Sequence, residues 1–125
     1  MKVNKRSAPP NLIFMEWIPI FKSKEEVQSK MRENVPYRID VRGKAICIVL
    51  QQNVLHAFEN KCSHNGESLH KGSINYLGEI VCPWHGYRFN IMTGRECAER
   101  CRDLETFPIE EREDGLWIGL SSRSF

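Results

Sequence analysis

The sequence contains no apolar run near the ~20 residues that a bilayer-spanning helix needs. Leu12–Met15 is interrupted by Glu16 after four residues, well short of the roughly 7–15 residues of a secretory apolar core. No twin-arginine pair occurs. An excess of charge is missing too: 18 basic residues face 16 acidic ones, for a net charge of +2. That balance gives no basis for nucleic acid or an anionic membrane as a partner. A glycine fingerprint for dinucleotides is also absent, so the chain is not expected to take hydride from NAD(P)H itself. A cytoplasmic protein is the expectation.

What is there suits one domain. A chain of 125 residues buries roughly two-thirds of its unfolded surface, enough for a core of its own. Apolar residues make up 41% and charged residues 27%, which favours neither disorder nor a membrane protein. Five cysteines in a reducing compartment point to metal binding or free thiols more than to disulfides.

Residues 1–10 read as a mobile tail bounded by Pro9-Pro10, followed by a single domain over 11–125. One helix is expected over Ser23–Asn34, with Ser23 as cap, Glu26 in capping-box position and Pro36 as stop. Strand chemistry follows. Tyr37–Val41 and Val54–Phe58 alternate, Ala45–Leu50 is continuously apolar, and Thr106–Ile109 and Leu116–Leu120 flank a turn at Asp114-Gly115. The fold class is therefore all-β: a small antiparallel sandwich or barrel scaffold carrying an insert from about residue 60 to 103.

The insert holds two short boxes, Cys62-Ser63-His64 and Cys82-Pro83-Trp84-His85. Two thiols and two imidazoles presented as two pairs suit a four-ligand metal site. Gly66 and Gly86 let each loop turn so that amides point inward, and Pro83 stiffens the second. Three readings stand side by side: ordinary buried cysteines with loop histidines, a closed structural zinc site in an interaction module, or a two-iron, two-sulfide cluster of mixed ligation. Zinc sites commonly pair like with like, whereas each box here holds one of each. That alternation is what a cluster with two cysteines on one iron and two histidines on the other requires.

The sequence resembles the Rieske family, and in particular its small soluble ferredoxins, over roughly residues 17–120. The resemblance rests on C-S-H-N-G with the following Leu69 and Gly72, on Ile80-Val81 leading into C-P-W-H-G, and on Arg88-Phe89-Asn90 and Thr93-Gly94. It implies a Rieske-like scaffold with a two-loop subdomain binding one [2Fe-2S] cluster. Cys62 and Cys82 would ligate one iron, and His64 and His85, near the surface, the other. Backbone amides around Asn65, Gly66, Gly86 and Tyr87 would bond the sulfurs, and Trp84 would shield the cluster, meet a partner or pack in the core. Cys47 and His56 read as structural, His70 as a surface residue, and Cys97 and Cys101 as reduced bystanders at a spacing that suits one helical turn.

Four positions depart from the respiratory branch of the family. Glu67 and Trp84 stand where that branch has a second cysteine pair, and Tyr87 and Phe89 stand where it has a serine and a tyrosine. The segment from Cys97 to Asp103 also lacks the proline- and glycine-rich cover common among relatives. After His85 come forty residues without a histidine, so the mononuclear iron domain of Rieske oxygenases is not expected. The resemblance implies a single-electron carrier, not an enzyme, reduced by a reductase and delivering to a terminal oxygenase. The alternative is a small subunit of a larger oxidoreductase such as an NAD(P)H-dependent nitrite reductase.

Overall fold

The computed structural model of the protein describes residues 14–121. The tail expected over residues 1–10 lies outside them. Among the described residues ten strands form three antiparallel sheets: β1 (Met15–Phe21), β10 (Gly115–Ser121) and β9 (Ile109–Arg112) in the order β1-β10-β9; β2 (Tyr37–Val41), β3 (Lys44–Gln51), β4 (Val54–Glu59) and β8 (Thr106–Phe107) in the order β2-β3-β4-β8; and β5 (Ser73–Ile74), β6 (Glu79–Val81) and β7 (Arg88–Asn90) in sequence order. The fold is the antiparallel β scaffold with an inserted subdomain that the sequence implies.

The first two sheets face each other across one core. Val41, Ile46, Ile48, Leu50, Leu55 and Ala57 come from one, and Leu116, Ile118 and Leu120 from the other. A second core lies behind the two Cys/His boxes and gathers Cys47, Val49, Phe58, Leu69, Ile80, Phe89 and Leu104. Strand β3 supplies both. Its even-numbered residues enter the first core and its odd-numbered ones the second, as the period of two dictates. This double burial explains the unbroken apolar run Ala45–Leu50, which one-sided exposure would have made alternate.

Two elements differ from expectation. Helix α1 spans only Lys24–Lys30. Ser23 caps it, its Oγ accepting from the Glu26 amide at 3.1 Å, but Met31 is already extended (φ −124, ψ 140). The helix ends because Val27 and Met31 have to reach the core, while Asn34 turns left-handed (φ 60) and its amide joins the Leu50 carbonyl at 2.8 Å. The second difference is β1, which sequence reasoning did not assign. Pro19 sits inside it and argues against a strand interior, yet β1 is an edge strand pairing only with β10, and its register slips between Pro19 and Phe21. An edge is where proline is tolerated. The segment Thr106–Ile109 divides between β8 and β9, which belong to different sheets.

Cys47 is fully buried in β3, and burial pushes its thiol up to about 12. A raised thiol contributes stability that is complete below the unfolded value and fades as pH climbs from there toward the folded one. Chemical denaturation of wild type and Cys47→Ala at pH 8 and pH 10.5 should show the wild type losing about 2 kcal/mol more across that interval. Equal losses would mean that the thiol ionises freely in the folded state.

Candidate metal centre

The two boxes occupy two loops of one design. The first follows β4, and the second joins β6 to β7. Each closes by a hydrogen bond from its cysteine amide to the carbonyl five residues on: Cys62 to Glu67 and Cys82 to Tyr87, both 2.8 Å. Each has a left-handed glycine four residues after the cysteine, Gly66 at φ 82 and Gly86 at φ 69. The histidines are offset by one position, since His64 lies two residues past its cysteine and His85 three. His85 is itself left-handed (φ 73), unusual outside glycine.

The four side chains divide by exposure. Cys62 and Cys82 are each 1% exposed and belong to the second core, whereas His64 and His85 are exposed. The imidazole rings lie 6.0 Å apart, inclined at 77°. Burial raises the Cys62 thiol, the neighbouring Cys82 raises it further, and the Asn65 and His64 amides oppose both. Those amides donate toward the Cys62 sulfur. The Gly66 amide, expected to face sulfur, donates instead to the Cys62 carbonyl at 2.7 Å. Asn65 ties the loops together: its Nδ2 lies 3.2 Å from the Trp84 carbonyl and 3.9 Å from the Cys82 sulfur.

Trp84 is 54% exposed and stacks on His85 at 5.1 Å, so it is not a core residue. His70 is not a plain surface residue either. It is half-buried in the 3-10 turn Leu69–Lys71, where its amide donates to Asn60 Oδ1 at 2.7 Å and its Nδ1 meets Asn60 Nδ2 at 2.8 Å. This pair joins the entry of the first loop to its exit. His56 lies in β4, half-buried, with burial lowering its pKa.

The cover missing from the sequence pattern is supplied by residues 96–103. Ser63 Oγ donates to the Arg102 carbonyl at 2.6 Å, and the Arg100 guanidinium lies over the Tyr87 ring at 3.7 Å. Cys97 and Cys101 do not share a helical turn, because Glu99 is left-handed (φ 55). Cys97 is exposed, Cys101 half-buried, and both are free thiols. Sequence reasoning missed Asn60, Glu96 and Arg100. Polar residues in a loop carry no period, so nothing local marks them.

Among the described residues no three His, Cys, Asp or Glu side chains converge on a position for one metal ion. A structural zinc needs four donors on one centre. A mixed-ligand cluster needs two on each of two irons, which matches a buried thiol pair and an exposed imidazole pair.

The Rieske [2Fe-2S] domain family matches residues 16–108. The chain belongs to the Rieske family. It is 30% identical over 84 residues to the naphthalene 1,2-dioxygenase system ferredoxin component of Pseudomonas aeruginosa, which covers 66% of this chain and 80% of that protein. It is 35% identical over 85 residues to apoptosis-inducing factor 3 of Mus musculus, spanning 68% of this chain but only 12% of that one. The ferredoxin of carbazole 1,9a-dioxygenase from Nocardioides aromaticivorans IC177 shares the fold, with a TM-score of 0.68 at 24% identity over 80% of this chain and 95% of that one. A Rieske domain binds one [2Fe-2S] cluster, and the donor set described above fits it.

The base of the site rests on Gly72, where the first loop leaves its 3-10 turn. A Cβ there would stand 2.0 Å from the Val81 carbonyl, one residue ahead of Cys82. Gly72→Ala should therefore push the two loops apart, costing about 1–3 kcal/mol, with the midpoint falling about 4 °C per kcal/mol. Thermal unfolding checks it, and an unchanged midpoint would show that the contact relaxes freely.

Proposed function

We propose that this chain is a one-electron carrier of the ferredoxin type, working as a single domain over residues 11–125 in the cytoplasm. Cys62 and Cys82 would hold one iron of the cluster, and His64 and His85 the other. One observation carries this reading: two buried thiols and two exposed imidazoles stand on two loops of the same design. The bound cluster supplies one-electron redox chemistry. Phe89, Ile80 and Leu69, each fully buried, exclude water behind the cysteines. The exposed histidines and Trp84 form the face that a protein partner can approach closely. Relatives named as ferredoxin components of dioxygenase systems, matched over 80% of their length, support a reductase as donor and a terminal oxygenase as acceptor. Among the described residues no helix is long and apolar enough to cross a membrane.

Purified protein should contain two irons and two acid-labile sulfides per chain and give a rhombic paramagnetic signal when reduced. Alanine at Cys62, His64, Cys82 or His85 should abolish cluster assembly and loosen both loops, because binding and local folding are coupled. Alanine at His56, His70, Cys97 or Cys101 should leave the visible spectrum intact. A colourless chain carrying one zinc would sink the electron-transfer reading. A His64→Ala protein that kept the cluster while His70→Ala lost it would sink the ligand assignment.

The potential follows from the second loop. Phe89 is buried and has no hydroxyl, and the Tyr87 ring lies flat on His64 at 3.9 Å, with its hydroxyl a ring's length farther from the backbone than a serine's would be. Hydrogen bonds to cluster sulfurs stabilise the reduced state, so their loss lowers the potential. Protein-film voltammetry should give a value near the low end of the range of about −150 to +300 mV. A value above about +100 mV would reverse this expectation.

A further inference from the structure

We infer that Arg100 is a positioning residue for His64 that acts through the Tyr87 ring and sets the charge felt on the histidine side of the centre. The inference rests on the ligand reading above. The Tyr87 ring is parallel to His64 within 5°, with centroids 3.9 Å apart. Arg100 Cζ lies 3.7 Å from the same Tyr87 centroid. Two groups so near one ring centre would overlap if they shared a face. The guanidinium and the imidazole therefore sandwich the phenol.

The far end of this stack is fixed. Glu96 is fully buried and accepts from Arg100 Nε at 3.1 Å, Nη2 at 2.7 Å and the Arg100 amide at 2.8 Å. Those bonds hold its carboxyl far below the usual carboxylate range against the opposing effect of burial, with further help from the Cys97 thiol and the Ala98 amide. Glu96 also bridges to Phe89 in β7, itself fully buried. The chain of contacts thus runs from a buried strand through Glu96, Arg100 and Tyr87 to an exposed imidazole. Each member has its plane set by the one before it. A fork of two parallel hydrogen bonds also fixes the guanidinium plane, which a lysine could not do.

Two effects follow from this placement. The stack holds one face of His64, whose exposure would otherwise leave its ring free to turn. The guanidinium is also the positive pole of the Arg100–Glu96 ion pair and is the end that lies against Tyr87, so the pair presents its positive side where negative charge accumulates on reduction and favours the reduced form. It therefore acts against the low potential that the missing hydroxyls produce.

The test uses the loaded chain with its iron and sulfide measured, the midpoint potential, and the ¹⁴N couplings of the reduced protein from pulsed paramagnetic resonance. Arg100→Gln should keep two irons, move the potential to a more negative value and alter the couplings of one histidine. Arg100→Lys restores the charge without the planar stack, so at least half of the potential shift should return while the couplings stay altered. Tyr87→Phe keeps the ring and should match wild type in both. If Arg100→Gln fails to hold the cluster, Arg100→Lys is read alone, and wild-type couplings there overturn the proposal. A loaded Arg100→Gln protein with wild-type potential and couplings overturns this inference alone. A wild-type chain without two irons and two sulfides overturns the ligand reading, and this inference with it.

Discussion

Everything in this molecule depends on a strand that has no exposed face. β3 sends Ile46, Ile48 and Leu50 into the scaffold core and Cys47 and Val49 into the core behind the cluster loops. A strand buried on both sides cannot slip by one residue without exchanging its two sets of side chains, and each set is shaped for its own core. The register of the scaffold and the position of the metal-binding subdomain are thus locked by one element. Phe58 of the neighbouring β4 does the same service on the cluster side, while Leu55 and Ala57 face the scaffold. The subdomain is an insert in sequence but not an appendage in packing.

Upon that base the two loops repeat one turn. The same closing hydrogen bond and the same left-handed glycine recur in each, so both cysteines sit at equivalent points and are buried to the same degree. The loops differ in where the histidine falls, and in the second loop the histidine itself is left-handed. Spacings of two and three residues both leave the imidazole exposed, with the two ring centroids 6.0 Å apart. Burial at the thiol end and exposure at the imidazole end give the site an inside and an outside, a polarity an electron carrier needs.

Much of this was legible in the residues. The boxes carried the two cysteines and two histidines that stand on the paired loops, Ser23 and Glu26 marked the helix start, and the apolar run Ala45–Leu50 marked the central strand. What escaped had physical reasons. The helix stopped early because tertiary demands on Met31 outweighed a sequence that would have propagated to Asn34. β1 was hidden by Pro19, whose cost disappears at a sheet edge. The segment 96–103 beside the first loop escaped because its carboxylate and guanidinium, Glu96 and Arg100, lie in a loop with no period to mark them. Glu96 is the clearest case: a glutamate in a loop is ordinarily solvated, and only the three-dimensional structure puts it at 0% exposure. His70 was seen as peripheral because it lacks a nearby cysteine, whereas its partner is an asparagine ten residues back.

The pairing of β1 with β10 sets Met15 opposite Ser121, so the described chain enters and leaves side by side, on a sheet that shares no strand with the cluster subdomain. A unit with adjacent ends can be spliced into a longer polypeptide much as a bead is threaded, with both connections leaving one edge and the redox loops undisturbed. Such a geometry suits the pattern among its relatives. The same segment makes up most of one protein and only 12% of another.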